Sequence, residues 1–176
     1  KLIHITTDCI YDGATGQYDE NSKSTANDDY GQSKYLGECD RAMVIRTSII
    51  GTERGSSRFL ISWVLGQDGK EVNGFTNHHW NGVTTLELSK RLYRIMKNGL
   101  WAPGKYHTYG PDITKEELVK EIAGAFQVNV KVNPVAAKES CDRRLRTVKS
   151  LNGEFTTTSH GDMLAELRYW NLIHSK

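Results

Sequence analysis

Read only for apolar and polar positions, the chain divides into short segments whose periodicity changes several times. Residues 2–5 (Leu-Ile-His-Ile) predict a short buried strand, and residues 6–29 are polar, with Gly13, Gly16, Asn21, Ser22 and Asn27 marking a long loop. Loops of that length are usually functional or disordered. A helix is expected over about residues 30–41 and a second strand over residues 43–47 (Met-Val-Ile-Arg-Thr). Strand, helix, strand is the α/β pattern. Ser57 can cap a helix that carries Phe59, Leu60, Trp63 and Val64 on one face, and residues 70–80 read as strand and loop.

Two helix starts carry capping-box signatures. Thr84-Thr85-Leu86-Glu87 opens a helix to about Asn98, with Leu88, Leu92, Ile95 and Met96 at core spacing and Gly99 closing it. Thr114-Lys115-Glu116-Glu117 opens a second, bearing Leu118, Ile122 and Phe126. Residues 105–109 read as a strand, residues 128–132 alternate as a strand should, and a final helix is expected near residues 161–170.

Composition narrows the class. The 176 residues suit one domain, or one domain plus a fragment, and 38% hydrophobic with 25% charged residues and 3 Pro describe a globular chain. Lys plus Arg number 23 against 21 Asp plus Glu, a net charge of +2 that is too small to imply nucleic acid or an anionic membrane as the main partner, so neither is expected. The longest apolar stretches, such as residues 59–65, fall short of the roughly 20 residues that span a bilayer. Cys9, Cys39 and Cys141 are odd in number and contain no CxxC pair, so no disulfide framework or structural zinc site is expected, and a reducing, cytoplasmic compartment fits. The opening Lys1-Leu2-Ile3-His4-Ile5 has no initiator Met and no signal-peptide pattern, so the chain is expected to start inside a domain.

The candidate chemistry begins with Tyr30-Gly31-Gln32-Ser33-Lys34, a YxxxK spacing that puts phenol and ammonium on one helix face. A cation beside the phenol favours its ionised form and makes it a better proton donor to a developing alkoxide. Eight Tyr and 13 Lys in this length give about 0.6 such spacings by chance, and a second copy exists, Tyr93-Arg94-Ile95-Met96-Lys97. That copy reads as an ordinary helix end. Only Tyr30 follows a strand ending in Thr6-Thr7-Asp8, where hydroxyls at the carboxyl end of a parallel strand sit at the usual ligand position of open α/β sheets.

Three stretches together carry a family resemblance: His4-Ile5-Thr6-Thr7-Asp8-Cys9-Ile10-Tyr11-Asp12-Gly13, Tyr30-Gly31-Gln32-Ser33-Lys34-Tyr35-Leu36-Gly37-Glu38, and Ile45-Arg46-Thr47-Ser48-Ile49-Ile50-Gly51. The chain resembles the extended short-chain dehydrogenase/reductase family, in the branch of dTDP-4-dehydrorhamnose reductase and related sugar-nucleotide reductases. Residues 74–82 and Cys141-Asp142-Arg143-Arg144-Leu145 are similar to bacterial members of that branch. The resemblance implies the C-terminal part of a Rossmann-type parallel sheet (residues 1–52) with a small mixed α/β substrate-binding region (residues 53–176) that partly returns to the sheet. It implies NADP or NAD as cofactor, hydride transfer to the C4 ketone of a nucleotide-linked 4-keto-6-deoxy sugar, and a homodimer.

Carried over position by position, the resemblance makes Tyr30 the general acid, Lys34 the holder of the nicotinamide ribose and Thr7 the hydroxyl partner. Arg46, Thr47 and Ser48 would approach the nicotinamide end, and Asn77, Arg143 and Arg144 the sugar nucleotide, Arg suiting bidentate diphosphate contacts. Cys9 stands where such reductases often have an aromatic, and Ile49 where they often have Trp. No segment matches the family's GxxGxxG pyrophosphate loop, so the chain is expected to hold half a cofactor site and to be inactive alone. The same fold also serves a non-catalytic binding or regulatory subunit, an epimerase or a dehydratase. His78-His79 as a metal pair and Arg143, Arg144 and Arg146 as a nucleic-acid patch are the weaker readings, since neither has supporting residues around it.

Overall fold

The computed structural model describes residues 1–53 and 58–174. In chain order its elements are β1 (Ile3–Thr7), α1 (Asp29–Leu36), β2 (Met43–Thr47), β3 (Ile49–Ile50), α2 (Leu60–Leu65), β4 (Glu71–Phe75), β5 (His78–Trp80), β6 (Val83–Thr84), α3 (Thr85–Lys97), β7 (Gly104–His107), β8 (Ile113–Thr114), α4 (Lys115–Phe126), β9 (Lys131–Val135), β10 (Cys141–Asp142) and α5 (His160–His174), with 3-10 turns at Asp8–Ile10 and Ser150–Glu154. Ser57, the expected helix cap, lies outside the described residues; α2 starts after Phe59, which gives no side-chain cap.

The first sheet is parallel, in the order β1-β2-β7, with Ile3 opposite Met43 and Thr7 opposite Thr47. Its middle strand is buried at every position, as a parallel strand covered on both faces must be. The chain then builds a second, mixed sheet in the order β10-β5-β8, parallel between β10 and β5 and antiparallel between β5 and β8. Two parallel pairs, β3 with β6 and β4 with β9, complete the fold. This is a mixed α/β architecture whose residues 104–107 pair with β2 of the first sheet.

Apolar side chains gather on both sides of that division. Met43 and Ile45 of β2 meet Ile95 of α3 together with Leu151 and Phe155. Ile61 and Val64 of α2 meet Leu118 and Ile122 of α4 and Leu164 and Leu167 of α5. Val83, Leu88 and Met163 form a small cluster through which α3 and α5 meet β6.

Several boundaries differ from expectation for local reasons. Helix α1 stops at Leu36 because Gly37 caps it and Glu38 is drawn to Arg46. The strand expected at residues 128–132 slips to β9, since Gln127 takes a left-handed conformation (φ 59°) that ends α4; Pro134 is tolerated in β9, one strand of a two-stranded sheet. At α4 the capping box is complete, with Thr114 and Glu117 bonding each other's backbone. At α3 it is half formed: Thr84 Oγ1 accepts from Glu87 N at 3.2 Å, but the Glu87 carboxylate accepts instead from Arg91 Nε at 2.9 Å.

Arg46, near the end of β2, carries the largest of the fully buried side chains among the described residues. Its Nε and Nη2 donate to Glu38 at 2.8 and 2.7 Å, and its Nη1 donates to the Tyr11 hydroxyl at 2.9 Å. Both charged side chains are 2% exposed. Burial pushes the Tyr11 phenol up to about 12 despite the Arg46 charge beside it. Tyr11 in turn stacks on Tyr18, ring centroids 4.3 Å apart, which fixes the long loop of residues 8–28 over the sheet.

Removing one charge of a buried pair leaves the other uncompensated, at a cost of about 3 to 5 kcal/mol. Glu38→Gln is therefore expected to lower the urea midpoint strongly, whereas Asp40→Asn, which touches only the outer Lys105 at 3.8 Å, should leave it nearly unmoved. Stability should also fall with acid in two stages. His107 and His160 are held below the usual histidine value of 6.5 by burial, so below about that pH the unfolded chain binds protons the folded one refuses. Asp112 and Asp142 follow below about 3.8: burial raises them, but hydrogen bonds and charge from Arg146 and Arg144 outweigh it and hold both low. Urea midpoints from pH 7.5 down to pH 3 measure both stages; a midpoint unchanged between 7 and 5 would remove the histidine stage.

Candidate functional site

The site begins where β1 ends. Thr7 Oγ1 accepts from Cys9 N at 3.1 Å, which turns the chain into a 3-10 turn and sends Asp8 into the interior. Helix α1 then comes back over this turn. Asp28 caps it, accepting from Gly31 N at 2.6 Å. Gly31 is the only buried residue of the helix, and a Cβ there would lie 2.3 Å from the Cys9 carbonyl oxygen and 2.7 Å from Ala26 Cβ. No side chain fits that gap, so glycine is what lets the helix sit against the turn and bring Tyr30 and Lys34 beside Thr7.

These side chains line a cleft of about 970 Å³. Thr7, Asp8, Tyr30 and Lys34 form one wall; Thr47 and Ser48, from the end of β2, continue it. The facing wall comes from the mixed sheet: His78, His79 and Trp80 of β5, Lys115 directly after β8, Cys141 of β10 and Arg143 just beyond it. Trp80 Nε1 donates to Ser48 Oγ at 2.8 Å, a bond that joins the two walls.

Charge within the cleft is concentrated around Asp8, which is 5% exposed. Burial pushes its carboxyl above the usual range, opposed by the Arg143 charge and by hydrogen bonds from Thr7, Ser48 and Cys9. Lys115 is half-buried; burial draws it below the ordinary lysine value, opposed by the Asp8 charge. Burial, reinforced by the Asp8 charge, pushes the Cys9 thiol up, leaving it a poor nucleophile. On the helix, the Lys34 ammonium lies 5.6 Å from the centre of the Tyr30 ring, and Tyr30 is 54% exposed.

Of the residues expected at the site, Thr7, Tyr30, Lys34, Thr47, Ser48 and Arg143 are brought together in the cleft. Three others are not among the cleft's lining residues. The Arg46 guanidinium is committed to Glu38 and Tyr11 in the interior. Asn77 makes a two-way hydrogen bond with the Ala137 backbone, at 2.9 and 2.8 Å. Arg144 is clamped by Asp142 at 2.6 Å and Asp112 at 3.0 Å. Each already has the partner a ligand would need to replace.

The second YxxxK copy shows how little its spacing decides. Lys97 lies 5.7 Å from the Tyr93 ring centre, the same arrangement as Lys34 on Tyr30. What differs is the surroundings: Tyr93 and Lys97 line a separate groove between α3 and α5, away from the ends of β1 and β2. Sequence reasoning missed Asp8, Trp80 and Lys115. Asp8 was signalled by its place next to Thr7, whereas Lys115 reads as the first residue of a capped helix and gave no sign of facing inward. Among the described residues, no three His, Cys, Asp or Glu side chains converge as metal ligands, and no helix is long and apolar enough to cross a membrane.

A parallel sheet whose strand ends open into a cleft, with hydroxyl and charged groups at the carboxyl ends, defines a Rossmann-type α/β protein. The chain belongs to the family of the RmlD substrate binding domain, whose family model matches residues 1–170. No curated protein sequence matches it. Solved structures share its fold. A dTDP-4-dehydrorhamnose reductase from Bacillus anthracis in complex with NADP has TM-score 0.76 and 22% identity, covering 97% of this chain and 66% of that one. A hypothetical dTDP-4-dehydrorhamnose reductase from Sulfolobus tokodaii has TM-score 0.69 and 24% identity, covering 90% and 59%. A dTDP-glucose 4,6-dehydratase from Bacillus anthracis in complex with NAD has TM-score 0.71 and 16% identity, covering 99% and 62%. The chain thus spans about three fifths to two thirds of the length of these proteins.

The close packing at Gly31 generates an expectation. Gly31→Ala should cost about 1 to 3 kcal/mol through overpacking and displace Tyr30 from the cleft. Gly37→Ala is the comparison, since a Cβ there meets nothing nearer than 3.4 Å. Urea unfolding of the two variants measures the difference; equal stability would mean that α1 can shift at no cost.

Proposed function

We propose that the chain is the substrate-side and nicotinamide-side part of an NAD(P)H-dependent reductase acting on a nucleotide-linked 4-keto-6-deoxy sugar, of the dTDP-4-dehydrorhamnose reductase type. In this reading residues 1–52 belong to the dinucleotide-binding sheet and residues 53–176 to the substrate region. The observation that carries it is the meeting of Thr7, Tyr30 and Lys34 in one cleft at the strand ends, within a family named for substrate binding.

The residues suit a nicotinamide ribose. Tyr30 and Lys34 touch each other through the ring face, and neither the phenol hydroxyl nor the ammonium has a hydrogen-bond partner among the described residues. Both are free for a diol, with Thr47 near the same end of the cleft. A bound nicotinamide would supply the hydride. The chain's own part is to hold the ketone oxygen and protonate it: Tyr30 gives its phenolic proton to the oxygen as negative charge develops there, and Lys34 favours the phenolate left behind. Thr7 would donate its hydroxyl to the same oxygen, leaving Asp8, its present acceptor at 3.3 Å.

A second reading has its own support. The dehydratase from Bacillus anthracis superposes about as well as the reductases, so the fold is neutral between reduction and dehydration. The assay separates them. In an enzyme that joins this chain to a pyrophosphate-binding loop, NADPH or NADH consumption with a 4-keto-6-deoxy sugar nucleotide marks a reductase, and loss of water from a 6-hydroxy sugar marks a dehydratase. Tyr30→Phe should lower kcat by about 10² or more by removing the proton donor, with Tyr93→Phe leaving turnover intact. Wild-type turnover in Tyr30→Phe would remove Tyr30 from the mechanism, and no consumption of either cofactor by the wild type would favour a binding subunit.

A further inference from the structure

The second YxxxK copy lies in a cavity of its own. The groove between α3 and α5 has a volume of about 950 Å³, close to that of the cleft and within the range of about 300 to 1,000 Å³ usual for small-molecule sites. Its frame is fixed at two points. Lys90 of α3 donates to Glu166 of α5 at 2.6 Å. Asn171 of α5 donates to Thr52 at 2.9 Å, next to Gly51, which lies so close to the start of α3 that a Cβ there would be 2.8 Å from the Thr85 side chain. The two helices therefore run in opposite directions, with Trp170 beside the start of α3 and Arg94 and Lys97 near its end. Along the helix axis Leu86 and Arg94 are about 12 Å apart, at about 1.5 Å per residue.

The two ends differ in chemistry. One is apolar and aromatic: Leu86, Leu167 and Trp170 line it, and His174 holds the Trp170 ring by stacking on it, with centroids 3.9 Å apart. The other is cationic. Lys90 is neutralised by Glu166 and Glu87, but among the described residues neither the half-buried Arg94 guanidinium nor the Lys97 ammonium has a hydrogen bond or a carboxylate partner. Glu154 is the one carboxylate among the described lining residues, and it pairs with neither. The negative end of α3 attracts both cations and leaves their N–H donors without acceptors. A fatty acid would need an apolar lining throughout, and a small carboxylate would leave the Trp170 end empty. A nucleoside diphosphate carries a planar base and an anionic chain at about the separation of the two ends. We propose that the groove between α3 and α5 is an accessory site for a nucleoside diphosphate, with the base against Trp170 and the phosphates at Arg94 and Lys97. Aromatic rings stack on any base, and a guanidinium beside an ammonium suits adjacent phosphoryl groups. Thr52 and Thr85 line both the groove and the cleft, so the base end of the accessory site adjoins the cleft. Thr7, Tyr30 and Lys34 are not in the groove's lining, and the inference stands apart from the reductase reading.

Calorimetric titration of the full chain with ADP, adenosine and inorganic pyrophosphate tests the site. Wild-type protein should bind ADP at least tenfold more tightly than adenosine or pyrophosphate, because only ADP reaches both ends. The joint replacement of Arg94→Gln and Lys97→Gln should weaken ADP tenfold or more, and Trp170→Leu should weaken it at least threefold. Lys34→Gln, in the cleft, should leave this binding unchanged. A wild type that does not bind ADP overturns the proposal, and so does ADP binding that the Arg94→Gln, Lys97→Gln protein retains in full. Loss of ADP binding in Lys34→Gln instead assigns the nucleotide to the cleft and removes the accessory site. Pyrophosphate bound as tightly as ADP leaves the aromatic end without a role and overturns the nucleotide, as does an acidic decapeptide that binds where ADP does not. Should Trp170→Leu not fold, the double charge variant, whose side chains are outside the core clusters, decides alone.

Discussion

The arrangement of the molecule depends on one buried ion pair. Arg46 and Glu38 face each other in the interior with a tyrosine hydroxyl completing the guanidinium's contacts. Such a pair is a weak source of net stability, because desolvating two charges offsets much of their attraction. Its effect is on geometry. Glu38 follows the end of α1, Arg46 is on the central strand, and Tyr11 is at the start of the long polar loop, so a single contact ties helix, sheet and loop in one register. An apolar substitute would hold these pieces together with less direction.

From that anchor the two walls of the cleft follow. The parallel sheet delivers Thr7 and Thr47 side by side because their strands are in register, and Lys115, Cys141 and Arg143 come from β10 and the strand end of β8, which flank β5 on its two sides. The walls are joined through Ser48, which accepts from the Trp80 indole. The hydroxyls of Thr7, Tyr30 and Thr47 thus belong to one wall together with Lys34, and Lys115 and Arg143 to the other.

Much of this was legible from residue order. Strand β2 reads as apolar because both its faces are covered, and both capping signatures opened real helices, since capping is a local contest between side chain and backbone. The remainder depended on side-chain partners that the pattern of residues does not mark. Glu87 left its capping role for Arg91, and Arg46 looked like a site residue because nothing local in the sequence marks its pairing with Glu38 and Tyr11. Tyr30 with Lys34 and Tyr93 with Lys97 have the same local geometry, so only tertiary placement separates them. Lys115 was hidden by a correct reading: it does open a helix, but the strand before that helix pairs with β5, which turns the position inward.

Helix α1 is attached to the body of the protein along one narrow line. Gly31 is its single buried residue, while Tyr30, Tyr35 and Leu36 are 54%, 39% and 81% exposed. Regions with so few buried contacts open first, at a small fraction of the free energy that unfolds the sheet. The residues proposed to handle the proton therefore ride on the most weakly attached helix, and the cations that face them sit on a wall anchored in the interior. Ligand entry and departure can then proceed by local opening of one short helix, with the rest of the molecule remaining folded.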